Sequence, residues 1–195
     1  PENDGVTHVN VYSQGKMALG RFASSFEDCG VMTEDGLFAS IEGYWYFLLT
    51  APGGRERLRG LSGVEAKRVG QSLAKVGDAD APDFQRRVSA ALAAKFRADA
   101  AMLDELRACP LPLDHYYVFD GVVKRPMKHR WTLDAIDAGK KGDIRPGISR
   151  QRLGAGRHVL IRPDVMTGSD WPATGEEVAV HFGYRPSRVD CWAGR

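Results

Sequence analysis

Apolar and polar residues alternate near the start of the chain, in the stretch THVNVYS at 7–13. Val9 and Val11 are flanked there by polar residues, and a period of two is typical of a strand with one buried face. Aspartate-glycine pairs at 35–36 and 120–121 predict tight turns, because glycine accepts the positive φ that a short hairpin needs. The stretch HYYVFDGVVK around the second pair is therefore predicted to form a hairpin or two short strands.

Two segments with helical periodicity follow the first turn. Ser40 is placed to cap a helix that runs to about Thr50, and this helix is predicted to be mostly buried. Ser62 and Glu65 have the spacing of a capping box ahead of a second helix at 63–76. The periodicity places three residues on one face of the first helix: Glu42, Tyr46 and Leu49.

A longer helix is predicted at 83–107, with Pro82 in its first turn and CPLP after its end. A short helix is predicted after Trp131. The inward stripe of the long helix is apolar: Phe84, Val88, Leu92, Phe96, Leu103 and Leu106. A strand, a run of helices, a hairpin and a last helix indicate an α+β fold that is mainly helical with a small sheet.

The composition changes near residue 141, where Gly, Arg and Pro become frequent before two apolar runs. We expect a main domain at 1–140 and a basic, β-rich extension of unknown role at 141–195. The arginines of the extension suit phosphate contact, and they equally suit a solvated surface. The sequence leaves the oligomeric state open.

The bulk composition is that of a globular protein, with 43% hydrophobic and 27% charged residues. The longest apolar run, Tyr44–Leu49, is far shorter than the roughly 18 residues of a membrane span, so no membrane partner is expected. The net charge of +2 is too small to imply nucleic acid by itself. Three widely spaced cysteines and the lack of a basic and apolar leader favour a reducing cytoplasm, which for a viral protein is the host's.

Few residues have a pattern that predicts chemistry. The histidines lack metal-ligand spacing, so no metal is expected, and His115 and His129 are interpreted as surface or strand-end residues. Glu42 opens an apolar helix, where it is either a favourable first-turn charge or a working acid. The basic stretch KRPMKHRW at 124–131 could grip a phosphate while Trp131 stacks on a base, or it could be a solvated charge run.

Five stretches, taken in order, resemble the successive motifs of the NADAR (NAD- and ADP-ribose-associated), or YbiA-like, family. They are VNVYSQGKMALGRFASSF, GLFASIEGYWYFLLT, GVEAKRVG, RRVSAALAAKFRADAAMLDELRA and LDHYYVFDGVV. The resemblance covers roughly residues 8 to 140 and is greatest to forms associated with bacteriophages. It implies a small α+β fold that binds ADP-ribose-like or ribosylamino ligands and cleaves N-glycosidic bonds, including those of ADP-ribosylated guanine and of riboflavin-pathway intermediates.

The resemblance also assigns roles to residues, without any cofactor. Glu42 matches the family's acid/base glutamate, and the family's serine falls on Ser40. Arg21 is expected to clamp a phosphate, and Trp131 to stack on the ligand. Three further residues are expected in the ligand site: Ser25, Tyr46 and Lys67.

Two departures from the family pattern leave alternatives open. Leu49 stands where the family has a lysine able to form a Schiff base, and Ser25 replaces the usual asparagine. Lys67 or Lys95 could supply an amine, although both match ordinary helix positions. A module that binds nucleotide or ADP-ribose without catalysis is thus one alternative, and a phage DNA-associated protein acting on modified bases is another.

Overall fold

The computed structural model describes residues 3–126 and 128–142, and the backbone of 151–153 and 157–159. The α-helices in this part of the chain are α1 Ala18–Ala23, α2 Ile41–Leu49, α3 Gly63–Ser72, α4 Pro82–Ala98, α5 Ala100–Ala108 and α6 Trp131–Asp137. The strands are β1 Val9–Asn10, β2 Val31–Thr33, β3 Gly36–Phe38, β4 Leu113–Asp114, β5 Tyr117–Phe119, β6 Val122–Lys124, β7 Gln151–Leu153 and β8 Arg157–Val159. Short 3-10 helices lie at Arg55–Gly60 and Ala138–Lys141. The α+β class expected from the sequence is confirmed.

The first strand is shorter than its alternating pattern predicts. Of the stretch 7–13, only the two residues of β1 form a strand. This strand pairs in parallel with β4, and Val9 lies opposite Leu113. Val9 and Val11 are buried as expected, but Asn10 is buried as well. The Asn10 side-chain amide donates to the Tyr116 carbonyl at 3.1 Å and accepts the Tyr116 N–H at 3.1 Å, so a polar residue is satisfied inside the fold.

Both predicted turns are confirmed. Gly36 joins β2 to β3 with a φ of +102°, and β5 and β6 pair antiparallel around Asp120 and Gly121. Asp120 and Gly121 both have positive φ, 54° and 71°, as a two-residue hairpin turn of the favoured twist requires.

The prediction of a single helix at 83–107 is wrong, because the structure has two helices, α4 and α5, separated at Asp99. Asp99 is extended, with φ −127° and ψ 95°, and its carboxylate accepts the Met102 N–H at 3.1 Å. A short acidic side chain thus caps a new helix, α5, instead of continuing α4. All six residues of the predicted inward stripe are nevertheless buried.

The predicted capping box ahead of α3 is also wrong. Ser62 stands at the N-cap, but its side chain makes no capping hydrogen bond. Its hydroxyl donates instead to Asp28 Oδ2 at 3.3 Å. The helix ends at Ser72 rather than near 76, and the chain beyond it runs extended, with Val76 and Gly77 donating to the Leu49 carbonyl.

Helix α2 lies in the middle of the core and packs against α3, α4 and the first 3-10 helix. Six of its nine residues are buried, as predicted: Ile41, Gly43, Tyr44, Tyr46, Phe47 and Leu49. An aromatic cluster of Phe38, Tyr44 and Phe47 fills one side of it. No helix of the described residues is long and apolar enough to cross a membrane.

The extension predicted at 141–195 lies mostly outside the described residues. Its described strands, β7 and β8, form an antiparallel pair. The boundary near residue 141 and the role of the extension remain predictions.

Candidate active site around Glu42

The start of α2 is fixed by Ser40, as the sequence predicts. The Gly43 N–H donates to Ser40 Oγ at 3.0 Å, and the same hydroxyl donates to the Leu61 carbonyl at 2.9 Å. Ser40 is fully buried, so it orients α2 from inside the core, and its expected ligand contact stays a prediction. Glu42 follows in the first turn, near the positive end of the helix dipole.

Glu42 lines a cavity of about 350 Å³. This volume falls in the size range of small-molecule sites. The cavity is enclosed by the segments 11–13 and 23–26, by α2, α3 and α4, and by residues between 114 and 136. Its aromatic lining consists of Tyr12, Phe26, Trp45, Tyr46 and Tyr117, and its ionisable lining of Glu42, Lys67, Asp114, His115, His129 and Arg130.

Ser25 holds the Glu42 residue at two points. The Ser25 hydroxyl donates to Glu42 Oε2 at 2.7 Å, and the Glu42 N–H donates to the Ser25 carbonyl at 2.9 Å. The carboxyl group is thus directed by a short hydrogen bond from a neighbouring segment. The Ser25 side chain therefore contacts the candidate acid directly.

The pKa of Glu42 is raised above its ordinary value of 4.5, chiefly by burial. The Ser25 hydrogen bond and the positive charge of Lys67 oppose this rise by favouring the carboxylate. A carboxyl group with a raised pKa keeps its proton to higher pH than an exposed one, which suits proton transfer to a leaving group.

Tyr46 and Lys67 both lie on the cavity wall, and their contact with a ligand stays a prediction. Tyr46 is buried, and its pKa is raised by burial and by the charge of Glu42. The Lys67 side chain is exposed, and its Nζ lies 6.0 Å from the Phe26 ring centroid. The wall thus has a cation on α3 that can face both Glu42 and solvent.

Two histidines line the cavity: His115 directly follows β4, as expected of a strand-end residue, and His129 is half-buried ahead of α6. His115 Nδ1 lies 2.7 Å from the Val11 carbonyl, which can only accept, so Nδ1 carries the proton. His129 packs edge-on against Trp45 at 4.9 Å, and burial lowers its pKa. Nothing in their sequence spacing marks them, because the fold alone brings them to this wall.

Arg21 and Trp131 lie away from the cavity wall. Arg21 Nη1 donates to the carbonyls of Gly15 and Lys16 at 2.8 and 2.6 Å, within its own part of the chain. The Trp131 ring stacks on Trp45, with centroids 5.8 Å apart and planes 12° from parallel. Trp131 therefore packs against a ring of the cavity lining, and the ligand contacts expected of both residues stay predictions.

The cavity wall contains neither Leu49, at the position of the missing lysine, nor Lys95. Leu49 is buried and absent from the wall. Lys95 is buried, and its Nζ donates to the Ser24 carbonyl at 2.8 Å. Lys67 is the lysine that the described cavity wall contains.

No protein-family model and no curated protein matches the chain significantly. Among solved structures, the NMR structure of the Escherichia coli protein YbiA matches with a TM-score of 0.54 and 21% sequence identity. The match covers 70% of this chain and 84% of YbiA. The resemblance stated from the motifs is confirmed at the level of the fold, whereas the similarity to bacteriophage forms remains a prediction. The chain therefore has the α+β fold of YbiA.

Proposed function

We propose that the protein is an N-glycosidase that acts on an ADP-ribose-containing or ribosylamino nucleotide, with Glu42 as its acid/base group. The observation that carries this proposal is a half-buried carboxyl group whose pKa is raised by loss of solvent, held by Ser25 in a cavity with aromatic and cationic walls. Such a cavity suits a ligand that combines a flat base with negative charge.

The chemistry needs one residue that can hold and release a proton. As the bond between the anomeric carbon and the base nitrogen breaks, protonated Glu42 donates its proton to the departing base. The sugar gains oxocarbenium character, which the resulting carboxylate stabilises. Water then adds hydroxide to the anomeric carbon and returns its proton to Glu42, so one water is consumed and the acid is regenerated.

The cavity wall offers a place for each part of such a ligand. Trp45 and Tyr46 present rings on which a base can stack, and Lys67 and Arg130 supply positive charge for phosphate groups. His115 presents an unprotonated Nε2 when it is neutral, and this nitrogen can accept a hydrogen bond from a sugar hydroxyl.

A binding module without catalysis is the second candidate, and Leu49 favours it. If the reaction requires a lysine that forms a Schiff base, a buried leucine at that position removes the nucleophile. Ligand that stays on the protein and is recovered intact would support this candidate.

Modified guanine in DNA is the macromolecular form of the proposed substrate. A DNA-associated role predicts affinity that falls steeply with salt, because phosphate contacts release counterions. Most of the arginine-rich segment that motivates this role lies outside the described residues, so the salt dependence of DNA binding is its direct test.

The test is mass spectrometry of small molecules after incubation with NAD, ADP-ribose, a ribosylamino pyrimidine and ADP-ribosylated DNA. We expect wild type to release a base or free ADP-ribose from one of these, and Glu42→Gln to release none. The substitution should keep ligand affinity within about tenfold, or about 1.4 kcal/mol, because glutamine retains the shape of the side chain. Turnover that survives in Glu42→Gln would remove Glu42 from the mechanism.

A further inference from the structure

Lys95 is a charged residue in an otherwise apolar face of α4. It is 1% exposed, and its neighbours on that face include Leu92 and Phe96. Among the Asp, Glu, Lys and Arg side chains that the structure describes, only Asp4 and Lys95 are buried. A buried ammonium group is unfavourable unless it gains specific partners, so its contacts indicate what it does.

Those contacts fix one short segment of backbone. Lys95 Nζ donates to the Ser24 carbonyl at 2.8 Å and lies 5.0 Å from the Phe22 ring centroid. The Ser24 hydroxyl in turn accepts the Phe26 N–H at 3.3 Å. Lys95 therefore anchors the chain at the end of α1, where it turns toward the cavity.

The anchored segment is the one that holds Glu42. Ser25 is the next residue after Ser24, and both its hydroxyl and its carbonyl bond to Glu42, at 2.7 and 2.9 Å. A continuous path of hydrogen bonds and one peptide unit thus leads from the Lys95 ammonium group to the Glu42 carboxyl group.

We propose that Lys95 is a positioning residue for Glu42, which it controls by holding the Ser24 carbonyl so that the Ser25 hydroxyl meets the carboxylate. This inference rests on the proposed function for its catalytic meaning, but the control of Glu42 ionisation can be measured without any turnover. It gives a reason for keeping a charge in the core, where an apolar residue would pack at lower cost.

The Ser25 hydrogen bond predicts the direction in which the pKa of Glu42 shifts when Lys95 is replaced. The Ser25 hydroxyl favours the carboxylate, so a segment that loses its anchor loses that stabilisation and Glu42 holds its proton to higher pH. Lys95 itself has a pKa lowered by burial, and it faces Glu27 and Cys29.

Other charged and titratable groups also surround Glu42, and the variants leave them in place. Those in the cavity lining are Lys67 on α3, Tyr46 on α2, Tyr12 after β1, Asp114 and His115 at the end of β4, Tyr117 on β5, and His129 and Arg130 before α6. Their influence therefore cancels when variants are compared with wild type.

The experiment is a carbon-13 NMR titration of glutamate side-chain carboxyl groups in the full chain, with the Glu42 signal assigned by Glu42→Gln. We expect Lys95→Met, which keeps the length of the side chain without its charge, to raise the Glu42 midpoint by about one pH unit. Ser25→Ala should raise it similarly. The double variant should match Ser25→Ala alone, because Lys95 acts through Ser25.

Two controls separate positioning from loss of stability. Leu106→Ala removes a fully buried side chain from α5 and should lower stability without moving the Glu42 midpoint. Lys95→Arg keeps a charged donor and should return the midpoint toward the wild-type value. If Lys95→Met fails to fold, Lys95→Gln replaces it in the same comparison.

An unchanged midpoint in the folded Lys95 variant would overturn the proposal. So would shifts that add fully in the double variant, because they would show that Lys95 acts independently of Ser25. An absence of turnover in wild type, together with the expected midpoint shifts, would contradict the proposed function and leave the positioning role standing.

Discussion

At the scale of single residues, two opposing effects act on the charge of Glu42. It stands in the first turn of a helix capped by Ser40, where a negative charge is favourable. It also lies inside a cavity, where burial opposes the same charge and raises its pKa. The pKa of Glu42 is raised because burial outweighs the contacts that favour its carboxylate.

Glu42→Gln should therefore stabilise the protein at neutral pH. The unfolded carboxyl loses its proton near 4.5, whereas the folded one keeps it to higher pH, so the free energy of unfolding falls as pH rises between the two midpoints. Glutamine removes this loss, and we expect a gain of about 1 kcal/mol, or about 2–4 °C in Tm. Thermal unfolding across pH measures it.

Glu65→Gln is the matched control for that prediction, because Glu65 is exposed in the first turn of α3. It should leave Tm nearly unchanged. A lower Tm for Glu42→Gln at neutral pH would show that the charge of Glu42 stabilises the fold, contrary to this account.

Lys67 is expected to contribute charge rather than structure. Lys67→Met should weaken the binding of ADP-ribose about fivefold at low salt, since an exposed ion pair contributes up to about 1 kcal/mol. Isothermal titration calorimetry with Arg68→Met as control tests this, because Arg68 is also exposed on α3 but is absent from the cavity wall. Equal losses in the two variants would indicate a general charge effect.

Some of the residues that line the cavity could be expected from the sequence and others could not, for physical reasons. Tyr46 lies one helical turn after Glu42, so periodicity alone places both on one face of α2. His115 and His129 reach the same wall only through the tertiary path of the chain, which no local spacing records. Arg21 has the residue type of a phosphate clamp, but its guanidinium bonds to nearby carbonyls.

At the scale of elements, the approach of α2 to α3 shapes the cavity. A Cβ atom at Gly70 would lie 2.1 Å from Tyr46 Cγ, so the two helices meet with no room for a side chain there. Tyr46 lines the cavity directly beside this contact. The spacing of the two helices therefore sets the position of one wall.

Gly70→Ala should destabilise the protein by about 1–3 kcal/mol and displace Tyr46. Chemical denaturation measures the first effect, and ligand affinity reports the second. Gly53→Ala is the control, because a Cβ atom at Gly53 meets nothing within 4 Å. A stable Gly70→Ala variant with unchanged ligand affinity would show that the helices can separate without disturbing the wall.

The break between α4 and α5 shows how far periodicity predicts an element. The apolar stripe continues across the break from Phe96 to Leu103, so burial was predicted correctly. The helix boundary depends on Asp99, whose side chain bonds to the backbone ahead of it. Aspartate suits a helix interior only moderately and a cap very well, and the choice between them is made by packing.

At the scale of the whole molecule, the order of motifs carries more information than any one of them. Residues from Val11 to Ile136 contribute to a single cavity, although they are far apart in the chain. The resemblance over roughly 8 to 140 predicted the YbiA fold, and the structural match confirms it. A fold supports many activities, so the activity must be established at Glu42 itself.

The most direct test is a single-turnover reaction in water enriched in heavy oxygen, with the protein in excess over an ADP-ribosyl or ribosylamino substrate. The account predicts that wild type releases the base and leaves one heavy oxygen on the sugar, while Glu42→Gln binds the substrate and returns it intact. Base release at equal rates by the two proteins, or bound substrate returned intact by wild type, would contradict it.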